Sequence, residues 1–387
     1  MMRFKSLGGS DPRELFAGIK TPAYVIDEGA LIRNGEILKD VADRSGAKIL
    51  LAQKAFSNYK LYPLLENYLA GTEASGLYEA RLGREEMPQK EVHVFCAAFS
   101  ESDLEETLRY ADHIVFNSIN QLEKYAAKAR EAGVSTGLRI NPEKSTQEGH
   151  EIYDPCSPES RLGVKISELN GFDRWDLVDG IHFHTLCEQD SDDLKTTLDA
   201  VKEKFGHILK KPEIKWLNMG GGHHITREDY NRDLLIELVK EVSSEYKVQV
   251  YLEPGEAVAL NAGYLVSRVL DIKEENVILD TSAACHMPDV LEMPYTPDIY
   301  GASTKTGKIR YRLGGPTCLA GDRIGEYFFD KELKEGDILV FGDMAIYTTV
   351  KNNTFNGMPL PDILLRKTDG SMETLNSFGY GDFRSRL

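Results

Sequence analysis

No feature limits the fold as much as one recurring pair: a short β-prone stretch ending in polar or glycine-rich residues, then a helical pattern. Lys48-Ile49-Leu50-Leu51-Ala52-Gln53-Lys54 is the first such stretch, and residues 93–97, 113–117, 136–141, 180–184, 215–220 and 248–253 repeat its form. Residues 71–75 supply a weaker one and complete a set of eight. Eight strands alternating with helices over roughly 230 residues fit a (β/α)8 barrel, whose usual size is about 250. The same alternation permits an open doubly wound sheet. The barrel is favoured because polar candidates end nearly every strand, and a barrel gathers such residues on one face.

The intervening helices carry punctuation of their own. Ser102 stands three before Glu105 and Ser118 three before Gln121, both capping-box spacings, and Gly133 closes the second of these helices. Beyond residue 261 the texture changes to short alternating runs broken by Gly and Pro, with strands expected at 308–312, 337–342 and 345–350. We therefore expect a barrel over 28–262 and an all-β domain from 1–27 and 263–387. The opening strand 21–27 joins that second domain because the first helix is expected to begin near Leu31. Residues after Gly370, rich in Gly, Ser and Arg, are expected to be loosely held.

At 387 residues the chain is long enough for two domains, and 41% hydrophobic residues can fill both cores. A formal net charge of −16 argues against nucleic acid as a partner and suits a cationic small molecule. No apolar run approaches the roughly 20 residues that a membrane helix needs, and the N-terminus lacks a signal-peptide core, so a cytoplasmic protein with no membrane partner is expected. Cys96, Cys156, Cys187, Cys285 and Cys318 have no paired metal spacing and are expected as reduced thiols.

Chemistry collects where barrel strands end. Lys54 leaves the first strand and would carry an amine onto that rim. The seventh strand ends in Gly220-Gly221-Gly222, whose N–H groups can approach an anion, although a plain tight turn reads the same way. Glu253, in Glu253-Pro254-Gly255, places a carboxylate on the same rim, either to hold a cofactor's pyridine nitrogen protonated or to pair with Lys54. His182 and His184 share one face of the sixth strand, with Phe183 on the other. They can stack on a planar cofactor, pack in the core, or bind a metal with His223 and His224, but no accompanying motif supports a metal and none is assigned. In the second domain, Cys318 lies in the turn Gly314-Gly315-Pro316-Thr317-Cys318, followed by Asp322.

Together these residues resemble the fold-type III pyridoxal-phosphate decarboxylases, the group of ornithine, diaminopimelate and carboxynorspermidine decarboxylases with an alanine racemase-like fold. The similarity runs through nearly the whole chain. It implies pyridoxal 5'-phosphate as cofactor, Lys54 as the Schiff-base lysine, His184 as the ring-stacking histidine, Gly220 to Gly222 as the phosphate loop and Glu253 as partner of the pyridine nitrogen. Tyr347 matches a tyrosine near the phosphate and Cys318 the catalytic cysteine that returns a proton. Cys285-His286-Met287-Pro288-Asp289-Val290-Leu291-Glu292-Met293-Pro294-Tyr295 is similar to the carboxynorspermidine and carboxyspermidine branch. It offers His286, Asp289 and Glu292 to a polyamine substrate, with Asp289 first, and Asp322 joins them.

Two departures from the ornithine and diaminopimelate branches stand out. Glu256 replaces an arginine after Glu-Pro-Gly, and His184-Thr185-Leu186-Cys187 replaces His-x-Gly-Ser. Glu256 would add negative charge near a cationic substrate. The resemblance also implies a homodimer with shared active sites. A racemase on this fold would carry arginine in place of Glu253. A catalytically silent relative and an ornithine- or diaminopimelate-type decarboxylase remain the alternatives.

Overall fold

The computed structural model describes residues 2–147 and 153–387, which form two compact units, Asn34–Val258 and Met1–Arg33 with Ala259–Leu387. In the first unit eight parallel strands pair in succession: Lys48–Ala52, Gly71–Ala74, Glu91–Phe95, His113–Phe116, Ser135–Asn141, Gly180–His182, Trp216–Asn218 and Gln249–Leu252. The last pairs with the first, Tyr251 opposite Lys48, and this closure makes a barrel and excludes the open sheet.

The barrel interior is packed by size matching. Trp216 projects inward, and a Cβ at Gly180 or Gly137 would lie 1.9 or 2.3 Å from its indole. Those glycines are the holes that the indole fills. Tyr251, Leu50 and Val115 complete this apolar layer, each buried. Around it, helices such as Ser191–Leu209 bury one stripe: Leu194, Leu198, Val201, Phe205 and Ile208 recur at three- and four-residue steps. Each such side chain contributes roughly 1.5–3 kcal/mol by leaving water.

Ser118 caps the helix Ile119–Glu131 by accepting from the Gln121 N–H at 3.2 Å, and Gly133 follows it at φ +78°. Ser102 does not cap. The helix Glu101–Thr107 begins two residues earlier than that cap requires, and Ser100 accepts the Asp103 N–H at 3.1 Å. The first long helix begins at Glu28 rather than near Leu31, because the Asp27 side chain accepts the Ala30 N–H at 2.8 Å.

The second unit is built on a nine-stranded mixed sheet. Its longest strand, Gly263–Lys273, pairs antiparallel with Ala23–Asp27, Asn276–Leu279 and Ile338–Gly342. The opening strand lies inside this sheet, parallel to Asp362–Arg366 on its other side. Phe4, Leu7, Phe16, Val25, Tyr264, Val266 and Val340 form its core.

Two expectations for this unit fail. Residues 345–350 form no strand: the Thr348 and Thr349 hydroxyls bond back to the carbonyls of Met344 and Ala345, and a short helix Thr348–Lys351 follows. Nor are the residues after Gly370 loose, since Met372–Asn376 pairs with Asp362–Arg366 and Tyr380–Ser385 is helical. No helix among the described residues is long and apolar enough to cross a membrane.

Candidate active site

Strand alternation places one ring of side chains just above the apolar layer, at the C-terminal ends of the barrel strands. It comprises Glu73, Phe95, Arg139, His182, Asn218 and Glu253, and all but Phe95 are polar. Glu253 is 3% exposed, so its charge needs partners there. Its Oε1 accepts from Asn218 Nδ2 at 2.5 Å, and its Oε2 lies 3.2 Å from His182 Nε2. Asn218 Oδ1 in turn accepts the Gly220 N–H at 2.9 Å. His182 stacks on Phe95, whose other neighbour is the Arg139 guanidinium, 4.5 Å from the ring centre.

Lys54 stands two residues beyond the first strand, with 37% of its side chain exposed. Its Nζ pairs with Glu73 Oε2 at 3.0 Å, which answers the question left open for Glu253: the ion pair belongs to Glu73. Burial would pull the Lys54 ammonium down, but Glu73 and then Glu253 outweigh it and raise its pKa. Burial pushes Glu73 up to about 7, held back by Lys54. Glu253 goes the other way: burial raises it, but His182 and Lys54 together bring it to about 2. Two carboxylates flanking one amine are thus set apart, Glu253 ionised and Glu73 near neutrality.

His184 is half-buried and lowered well below 6.5 by burial, then by Lys54 and Arg139. Its Nδ1 accepts the Gly221 N–H at 3.2 Å, so the neutral ring carries its proton on Nε2. Phe183 is fully buried on the opposite face. Gly220 and Gly222 have φ of +71° and +80°. A Cβ at Gly222 would lie 2.1 Å from Leu186 O, and one at Gly221 would lie 2.4 Å from Glu253 O. The glycines let this loop lie directly on the backbone leaving strands six and eight.

A different polar cluster occupies the N-terminal end of the same barrel. Glu91, His93 and His113 approach one another, and Glu91 also takes the Lys48 ammonium and the Tyr251 hydroxyl at 3.0 Å. The two histidine rings stack at 4.0 Å.

The remaining sequence candidates lie in the second unit, apart from Glu256. Cys318 is exposed, and its N–H donates to Asn356 Oδ1 at 2.9 Å. Asp322 is 5% exposed and works as a clamp on this turn, accepting from Thr317 Oγ at 2.6 Å and Ser282 Oγ at 3.0 Å. Both its oxygens take part in these contacts. His286 is fully buried: Nδ1 lies 2.9 Å from Thr281 Oγ and Nε2 lies 3.0 Å from Pro359 O. Burial lowers it to about 4, and neither ring nitrogen is left for the substrate contact expected of it. Asp289 and Glu292 converge on one ammonium, that of Lys351, with Glu292 at 2.7 Å. Tyr347 sits at φ +55° at the start of the helix Thr348–Lys351. Glu256 belongs to the barrel and pairs with His224 Nε2 at 2.8 Å.

Sequence reasoning missed Glu73, Arg139, Asn218, Lys351 and His224 as partners. Glu73 and Asn218 were findable, each standing at the polar end of a strand already identified. Lys351 carries no local signal, because its partners are 62 and 59 residues away.

The family model for pyridoxal-dependent decarboxylases, C-terminal sheet domain, matches residues 23–345. The chain belongs to the pyridoxal-dependent decarboxylase family. It is 43% identical to a carboxynorspermidine/carboxyspermidine decarboxylase of Campylobacter jejuni, over 95% of this chain and 98% of that one. It is 40% identical to a carboxyaminopropylagmatine decarboxylase of Synechocystis, over 96% of each chain. Among solved structures, carboxynorspermidine decarboxylase of Campylobacter jejuni complexed with norspermidine superposes with a TM-score of 0.88 at 42% identity, covering 95% of this chain and 100% of that one. Diaminopimelate decarboxylase of Helicobacter pylori shares the fold, with a TM-score of 0.80 at 18% identity, covering 97% of this chain and 99% of that one.

The rim suits the cofactor that the family name implies. Pyridoxal phosphate presents an aldehyde, a basic ring nitrogen and a phosphate. The rim presents an amine in Lys54, a carboxylate held ionised in Glu253 and a neutral imidazole in His184. Among the described residues the Gly222 and His223 N–H groups make no hydrogen bond, which leaves two donors for an anion.

Proposed function

We propose that this protein decarboxylates carboxynorspermidine and carboxyspermidine, with pyridoxal 5'-phosphate held on the barrel rim, in the biosynthesis of polyamines. The observation that carries this reading is near-full-length similarity, at 43% and 36% identity, to two decarboxylases that bear those substrates' names.

When bound, pyridoxal phosphate supplies the conjugated ring that takes up the electron pair left by departing carbon dioxide. Lys54 Nζ would hold the cofactor's aldehyde carbon, for which its ammonium must first lose a proton. Glu73 Oε2, at 3.0 Å with a pKa of about 7, is placed to take that proton. Glu253, ionised and fixed by Asn218 and His182, keeps the pyridine nitrogen protonated. His184 would stack on the ring, and its neutral state avoids a second cation beside Lys54. The Gly220 to Gly222 loop would receive the phosphate.

Two copies assemble as a homodimer, and Cys318 of the partner subunit returns a proton to the α-carbon of the substrate. Asp289 and Glu292 bind a substrate ammonium, exchanging it for Lys351. Five unpaired cysteines accord with a reducing cytoplasm as the site of the reaction. Carboxyaminopropylagmatine is the second reading, favoured by the 40% identical Synechocystis relative.

The test is carbon dioxide release from each of carboxynorspermidine, carboxyspermidine, carboxyaminopropylagmatine, ornithine and diaminopimelate. Preference for the first two supports the proposal, preference for the third selects the second reading, and turnover of only the last two rejects both.

A further inference from the structure

We propose that His224, paired with Glu256, is the cationic anchor for the cofactor's phosphate, an inference that rests on the pyridoxal phosphate reading above. The glycine loop is a sparse anion site by itself. Gly220 and Gly221 spend their N–H groups on Asn218 and His184, which leaves those of Gly222 and His223. A phosphate monoester carries a charge of about −1.5 to −2 at neutral pH, and two neutral donors leave most of that charge unanswered. His224 is the next residue of the same loop. It is 8% exposed, its N–H donates to Gln189 O at 3.2 Å, and its Nε2 is 2.8 Å from Glu256 Oε2. Its Nδ1 makes no hydrogen bond among the described residues.

Glu256 enters from the loop after the eighth strand, so the pair joins the two loops between which (β/α)8 barrels commonly seat phosphate. A lone half-buried carboxylate there would repel an anion. Paired with His224, it becomes the group that keeps the imidazole charged, and Nδ1–H is then a charge-assisted donor. Burial lowers the His224 pKa, but Glu256 and then Glu188 outweigh it and raise it, while Arg227 opposes them weakly. Arg227 is not the anchor itself, because Asp229 at 2.5 Å and Asp190 at 3.6 Å already hold it.

The experiment titrates the cofactor-free protein with pyridoxal phosphate and, separately, with pyridoxal, following absorbance, with no substrate present. His224→Gln is expected to weaken pyridoxal phosphate about 10- to 100-fold and to leave pyridoxal unchanged, and His224→Lys to restore the preference. Glu256→Gln is expected to be weaker than the parent already at pH 6 to 8, because burial without Glu256 pulls the histidine below its ordinary 6.5, and to approach the parent only as pH falls well below that. Equal weakening of both ligands would assign the pair a merely structural role, and unchanged affinities would also overturn the anchor. A parent protein that binds neither ligand overturns the cofactor reading along with it.

Discussion

Replacing Gly222 by alanine separates the proposed cofactor loop from ordinary turn chemistry. At φ +80° an alanine sits in the left-handed region, which costs roughly 1–2 kcal/mol. Its Cβ would also stand 2.1 Å from Leu186 O, whereas a relaxed carbon–oxygen contact is about 3.3 Å or more. The loop must therefore move by about 1 Å, and a displacement of that size can cost about 100-fold where geometry matters. Gly133 supplies the control, since its φ is +78° and nothing lies within 4 Å of a Cβ built there. Gly133→Ala should lower the unfolding free energy by the left-handed cost alone and leave pyridoxal phosphate affinity at the parent value. Gly222→Ala should lose about 100-fold in that affinity, read by absorbance titration alongside urea denaturation of both variants. Parent affinity in Gly222→Ala would refute the reasoning, because the phosphate would then not lie on this loop.

Three further predictions concern the charged groups. Glu253 is held at about 2 from an ordinary value near 4.5, so its contribution is fully present above the unfolded value and is lost as pH falls towards 2. That contribution is on the order of 3 kcal/mol, and urea denaturation of Glu253→Gln should show a flatter acid limb between pH 5 and 2 than the parent. Lys54→Ala and Cys318→Ala should each be inactive, while a refolded mixture of the two should recover carbon dioxide release if active sites are shared between chains. Asp289→Asn should raise KM for the polyamine substrate about 10-fold with a smaller change in kcat; an unchanged KM would remove Asp289 from the substrate site.

The barrel was legible because strand ends and helix punctuation recur at regular intervals, and Lys54, His184, Gly220 to Gly222 and Glu253 do stand at those ends. What escaped the sequence was pairing. Nothing local tells that Lys54 answers to Glu73 rather than Glu253, since both carboxylates end strands and only barrel closure sets their distances. His286 shows the same limit, because a histidine beside acidic residues reads as functional until burial and its two hydrogen bonds are seen. Ser100 and Ser102 differ only in which one starts the turn, a choice that tertiary context makes. Residues 345–350 alternate like a strand, yet two threonine hydroxyls capture the backbone first. The expectation of a loose tail came from composition, which cannot anticipate that Asp362–Arg366 offers it a free edge.

The central claim is that Lys54 is the residue to which the cofactor is joined. Reducing the pyridoxal phosphate-loaded protein with borohydride and mapping the adduct by mass spectrometry of its peptides tests it directly. The pyridoxyl phosphate mass is expected on Lys54, with no comparable labelling of exposed lysines; its appearance on another lysine, or its absence from the peptide containing Lys54, would exclude that attachment.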